Sequence, residues 1–132
     1  MPISKETESA ERMLLKAAYQ NFNLRDIDAV LASLHPDVEW ANGMEGGYVH
    51  GREAVRAYWS RQWEAIDPRV EPSTIERMDN GGYLVKVHQI VRDKQGKVLV
   101  DKLVHHAYQF DNGRIKRMDI LIREREKNET NS

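Results

Sequence analysis

The apolar residues follow a helical spacing up to about residue 66 and an alternating one over the last third of the chain. From Glu8 to Phe22, Met13, Leu14, Ala17, Ala18 and Phe22 form a helical stripe that Asn23 closes. A second short helix is predicted from Asp26 to Leu34, with Ile27, Val30, Leu31 and Leu34 on one face. Pro36 ends it, because a proline pushes the residue before it out of the helical region. Val38-Glu39-Trp40 alternates and begins a strand. Gly43-Met44-Glu45-Gly46-Gly47 reads as a loop, and Gly51 opens a third helix. Val55, Tyr58, Trp59, Trp63 and Ile66 form that helix's apolar face, and Asp67-Pro68 stops it.

Beyond this point the period becomes two. Tyr83, Val85, Val87, Gln89 and Val91 alternate with more polar partners, and Lys94-Gln95-Gly96-Lys97 is a turn. Tyr83–Asp93 and Val98–Phe110 therefore read as a long hairpin. Asp111-Asn112-Gly113 is a tight turn with a strong Asn-Gly signal, and Arg114–Arg123 is the final strand. Helices followed by at least four strands indicate an α+β fold. Three N-terminal helices laid on one face of a long, curved, mostly antiparallel sheet make a cone, which tends to leave a cavity at its wide end. The predicted domain spans residues 8–123, with polar, frayed ends at 1–7 and 124–132.

Composition narrows the partners. The chain of 132 residues fits one domain, with 40% hydrophobic and 31% charged residues. Twenty basic and 21 acidic residues give a net charge of -1, with no basic excess for nucleic acid or an anionic membrane. There is no cysteine, so disulfides, thiolate chemistry and Cys-based zinc sites are excluded. The N-terminal stretch lacks a signal-peptide apolar region, and no apolar run reaches the roughly 20 residues of a membrane span. The expectation is a cytoplasmic protein without a cofactor. No His/Asp/Glu spacing supports a metal site, and neither a nucleophile elbow nor a phosphate loop is present.

Three stretches carry a family resemblance. His35-Pro36-Asp37-Val38-Glu39-Trp40 is followed by Gly51-Arg52-Glu53-Ala54-Val55-Arg56-Ala57-Tyr58-Trp59, and later by His106-Ala107-Tyr108-Gln109-Phe110-Asp111-Asn112-Gly113-Arg114-Ile115. In this order and spacing they resemble the SnoaL-like family of the nuclear transport factor 2-like superfamily. That superfamily includes ketosteroid isomerases, polyketide cyclases, epoxide hydrolases, dehydratases and binding modules, so fold does not fix function. The resemblance implies a cone-shaped fold and a homodimer formed through the outer sheet face, where Ile115 and Leu121 are expected among charges. It also implies where catalytic groups would fall. The ketosteroid isomerase base position corresponds to Trp40, and its first oxyanion donor to Ala18, with Tyr19 expected to turn away by about 100°. The second oxyanion donor corresponds to His106. The acid of SnoaL-type cyclases corresponds to Ile120, with Asp119 facing the other side.

His106 is the leading catalytic candidate, because imidazole titrates near neutrality and Val104, His106, Tyr108 and Phe110 share the more apolar face of their strand. Tyr108 is expected to assist it. The alternative is a buried histidine held by a tyrosine or a backbone carbonyl. His105 must point the other way. Trp40, Asn42, Tyr58, Trp59, Trp63, Val87, Met118 and Ile120 are the candidate ligand-binding residues, on the pattern of aromatic walls with few polar groups. Simple core packing is the alternative for the aromatics, and turn formation for Asn42. Asp119 reads as a surface or interface ion pair with Arg117 or Arg123. His35 suits a helix end, His50 lies near the pocket mouth, and His88 is expected in solvent or at an interface. Three functions remain open: a binding module for a small apolar metabolite, a cofactor-independent isomerase, cyclase or lyase using His106 as acid/base, and a structural dimerisation domain with a filled core.

Overall fold

A computed structural model describes residues 4–43 and 45–121. Residues 1–3 and 124–132 of the predicted polar ends lie outside these residues, as do Ile122 and Arg123 of the last strand, whereas residues 4–7, expected to fray, cap and begin the first helix. The elements run α1 (Lys5–Asn23), α2 (Ile27–Ala32), β1 (Leu34–Ala41), β2 (Tyr48–His50), α3 (Arg52–Ala65), β3 (Asp67–Arg77), β4 (Tyr83–Arg92), β5 (Val98–Asp111) and β6 (Arg114–Leu121). The six strands form one sheet in the order β2-β1-β6-β5-β4-β3. Only the β1–β6 pairing is parallel. This is the α+β architecture of helices followed by a curled, mostly antiparallel sheet.

The first helix starts earlier than its apolar stripe. Ser4 caps it, its side chain accepting from the Thr7 N–H. Its buried face also differs from the predicted one. Met13 is 66% exposed, whereas Leu15 and Tyr19 are buried and Ala18 and Phe22 pack beside them. These four stand at i, i+3, i+4 and i+7, the spacing of a core-facing stripe. The shift turns Tyr19 inward, opposite to the orientation expected for it.

The second helix is shorter than predicted. Asp26 caps it, and Leu34 already belongs to β1. The third helix holds Val55, Tyr58 and Trp59 in the core, and Arg52 ties its start to the Leu34 carbonyl through Nε at 2.8 Å and an Nη at 2.6 Å. Fully burying one such apolar side chain is worth about 1.5–3 kcal/mol.

Two strands lack a clear sequence signal. β2 has only three residues. β3 carries Pro68 and Pro72 and five charged residues, and a register shift between Pro72 and Thr74 breaks its alternation. A second irregularity reassigns a predicted surface residue. Gln109 pairs with Arg117, but Phe110 pairs with Ile115, so Lys116 is the extra residue of a bulge. The bulge inverts the alternation upstream of it. Ile115 is therefore fully buried in the core instead of lying on the outer face, while Asp119 and Leu121 keep their outward side. No helix among the described residues is long and apolar enough to cross a membrane.

Candidate functional site

The inner faces of β1, β4, β5 and β6 and the three helices enclose a cavity of about 510 Å³. Small-molecule pockets range over about 300–1,000 Å³. Its wall is built from β5 by alternation: Val100, Lys102, Val104, His106 and Tyr108 all face inward. Met118 and Ile120 of β6 stand opposite Tyr108 and His106. Trp40, Asn42, Tyr58 and Trp59 close the other side. The rings pack edge to face, with Trp40 and Trp59 centroids 5.2 Å apart at 89° and Trp40 and Tyr108 6.2 Å apart at 62°.

Trp63 and Val87 do not reach the cavity wall. The Trp63 ring packs on Phe22, 5.2 Å away, and lies beneath the Arg25 guanidinium at 5.1 Å. It lies one turn beyond Trp59 and turns towards Phe22 of α1, while its neighbour Gln62 lines the cavity. Val87 faces inward on β4 but is fully buried in the core cluster. Asn42 lines the cavity, yet its amide builds the following turn. Its Oδ1 accepts from the Glu45 N–H at 2.9 Å, and its Nδ2 donates to Glu45 Oε1 at 3.1 Å. The Tyr58 hydroxyl accepts from the Gly43 N–H at 3.1 Å and holds the same loop against the cavity.

One polar cluster stands within this apolar wall. Tyr108 donates its hydroxyl proton to the Tyr19 oxygen at 2.7 Å, and the Tyr19 hydroxyl lies 2.7 Å from His106 Nδ1. The Tyr19 and His106 rings stack at 5.9 Å with only 8° between their planes. With Tyr108 donating, Tyr19 gives its own proton to Nδ1. A neutral imidazole then carries its proton on Nε2. Nε2 has no partner among the described residues, and His106 lines the cavity. The cluster thus presents one N–H donor to the interior.

All three groups are held neutral. Burial, and then the charge of nearby His105, pulls His106 down to about 4. Burial pushes the Tyr108 and Tyr19 hydroxyls well above the usual tyrosine range. An uncharged donor therefore faces the cavity at neutral pH.

The sequence missed Tyr19 as a site residue. The signal that would have found it is the Leu15, Ala18, Tyr19, Phe22 spacing. Trp40, Ala18 and Ile120, three of the positions where the resemblance implied catalytic groups, line the cavity as apolar side chains. Asp119 lies outside it, 2.9 Å from Arg117 Nε and accepting from the Tyr48 hydroxyl. Three other histidines pair with carboxylates, His35 with Asp111 at 3.2 Å, His50 with Glu39 at 2.8 Å and His88 with Asp101 at 2.6 Å, whereas His105 is buried. No group of three or more His, Asp or Glu among the described residues could hold a metal.

A curled sheet closed by three helices around an apolar cavity defines the nuclear transport factor 2-like class. Within it, residues 15–118 match the model of the SnoaL-like domain, and the chain belongs to that family. Several solved structures share the fold. An NTF2-like protein of unknown function from Burkholderia pseudomallei K96243 is 26% identical, with a TM-score of 0.75 over 89% of this chain and 94% of that one. TerC co-crystallised with polyporic acid is 22% identical, with a TM-score of 0.75 over 91% and 96%. A candidate polyketide cyclase from Xanthomonas campestris pv. campestris is 22% identical, with a TM-score of 0.72 over 92% and 96%. Comparison with curated proteins finds no match.

Proposed function

We propose that this chain binds a small apolar molecule bearing one hydrogen-bond-accepting oxygen, which His106 Nε2–H engages inside the cone. The carrying observation is the cavity itself, walled by aromatic and aliphatic side chains with a single uncharged donor cluster at its core. Such a donor is strong because little water competes for it. TerC, of the same fold, was co-crystallised with polyporic acid, and that compound is a reasonable first probe. Neither a metal nor a cofactor enters this reading. Native mass spectrometry of the protein from its own host is the test. A reproducible small-molecule adduct on wild type, lost from His106→Phe, supports it. An adduct-free spectrum, with no quenching of tryptophan fluorescence by polyporic acid, would count for a filled structural core.

The second reading is a cofactor-independent isomerase, cyclase or lyase in which His106 acts as acid/base. The openness of Nε2 to the cavity favours it. The energetics of the cluster favour binding instead. If Nε2 gave up its proton and Nδ1 took one from Tyr19, the negative charge would rest on a buried tyrosine. Burial opposes that charge. Turnover that disappears in a folded His106→Ala variant would establish the enzyme reading.

A further inference from the structure

Among the described residues, Lys102 is the only lysine, arginine, aspartate or glutamate on the cavity wall. The remaining lining residues are apolar, aromatic or neutral polar. Lys102 is exposed, and no described ion pair uses it. The adjacent acid, Asp101, points to the opposite face and is engaged by His88. Gln89 stands directly across from Lys102 on β4, and it too lines the cavity. Together with Gln62 of α3 they make a polar rim at the end of the cavity away from Tyr108. Lys102, itself exposed, brings this end of the cavity to the protein surface.

β5 fixes the distance between this rim and the donor cluster. Lys102 and His106 are four residues apart on one face, about 13 Å at the rise of an antiparallel strand. Val104 lies between them, fully apolar and buried. Building on the ligand-binding reading above, we propose that the ligand is an apolar monoanion of the carboxylate type. Its acid group rests on Lys102 and Gln89 at the mouth. Its accepting oxygen reaches His106 about 13 Å further in. The lysine stem lies along the apolar wall, and its ammonium stays at the water boundary where the ligand's charge need not be buried.

Three probes separate the two anchors. 11-Oxododecanoate carries a ketone and a carboxylate at about this separation, its methyl ester lacks the charge, and dodecanoate lacks the ketone. Affinities are read by quenching of the cavity tryptophans and checked by titration calorimetry. Wild type is expected to prefer the oxo acid over its ester by about fivefold or more, the upper range for a partly exposed ion pair. Raising the salt shrinks that preference. Lys102→Met, which keeps the stem, should abolish that preference, and Lys102→Glu should reverse it. His106→Phe should weaken the oxo acid but not dodecanoate. Equal binding of acid and ester by wild type, or a preference that survives Lys102→Met, overturns the carboxylate assignment and leaves the cavity reading intact. Failure of all three probes to bind overturns both.

Discussion

The chemistry of this cavity is set by three side chains whose protons are interlocked. Tyr19 is the central one, accepting from Tyr108 and donating to His106. Tyr19→Phe strands a buried hydroxyl and a buried imidazole nitrogen at once, whereas Tyr108→Phe removes only the outer donor. Chemical denaturation should show Tyr19→Phe costing about 2 kcal/mol and Tyr108→Phe about 1 kcal/mol. The double variant should cost less than the sum, because the two share one network. Long-range 15N–1H correlation spectra should show the His106 proton on Nε2 at neutral pH. Its pH dependence follows from the direction of its shift. The folded protein resists protonating His106 until about pH 4, while the unfolded chain takes a proton near pH 6.5. The contribution is fully present above about pH 6.5 and lost as the pH falls towards 4, by roughly 3 kcal/mol. His106→Phe should remove that part of the acid sensitivity. Equal slopes of stability against pH for variant and wild type over this window would show that His106 titrates normally.

At the scale of elements, the turns and bulges decide which residues meet. Gly82 opens β4 where the chain passes the Tyr108 carbonyl. A Cβ there would come within 2.3 Å of that oxygen and 2.6 Å of Gln109 Nε2. Gly82→Ala should therefore cost about 3 kcal/mol, the upper end of overpacking penalties, and disturb the strand that carries the site. Gly46 has φ +84° with nothing within 4 Å of an added Cβ, so Gly46→Ala should cost only about 1 kcal/mol for the backbone strain. Urea midpoints of the two variants, at equal slope, check the contrast. The bulge at Lys116 shows the same logic. One extra residue buries Ile115 and leaves Asp119 outside, and strict alternation along β6 could not yield both.

At the scale of the whole molecule, the outer sheet face carries Leu103 at 56% and Leu121 at 42% exposure, on strands β5 and β6 that pair directly. We propose that this face forms a homodimer. Light scattering should return twice the 15.3 kDa of one chain, and Leu103→Glu should return a monomer that keeps its fold. A wild-type monomer at micromolar concentration would refute the interface. The cavity lies on the other face, so ligand affinity should survive the variant.

The local pattern by itself determined the three helices, the β4–β5 hairpin, the Asn-Gly turn and the inward row of β5. These depend on periodicity and turn chemistry within a few residues, and the order of motifs was enough to place the chain in its family. The inward face of Trp40, Tyr58 and Trp59 was legible for the same reason. What the tertiary structure decided was of two kinds. β2 and β3 were hidden because a three-residue strand and a proline-broken one have no clear period, and only pairing with β1 and β4 holds them extended. Tyr19 was hidden because neighbouring apolar positions on α1 allow two stripes, and the sheet beneath selects the one through Leu15. The meeting of Tyr19, His106 and Tyr108, and the loss of Trp63 and Val87 from the wall, follow from how helices and sheet are set against each other. Spacing along the chain carries no record of that geometry.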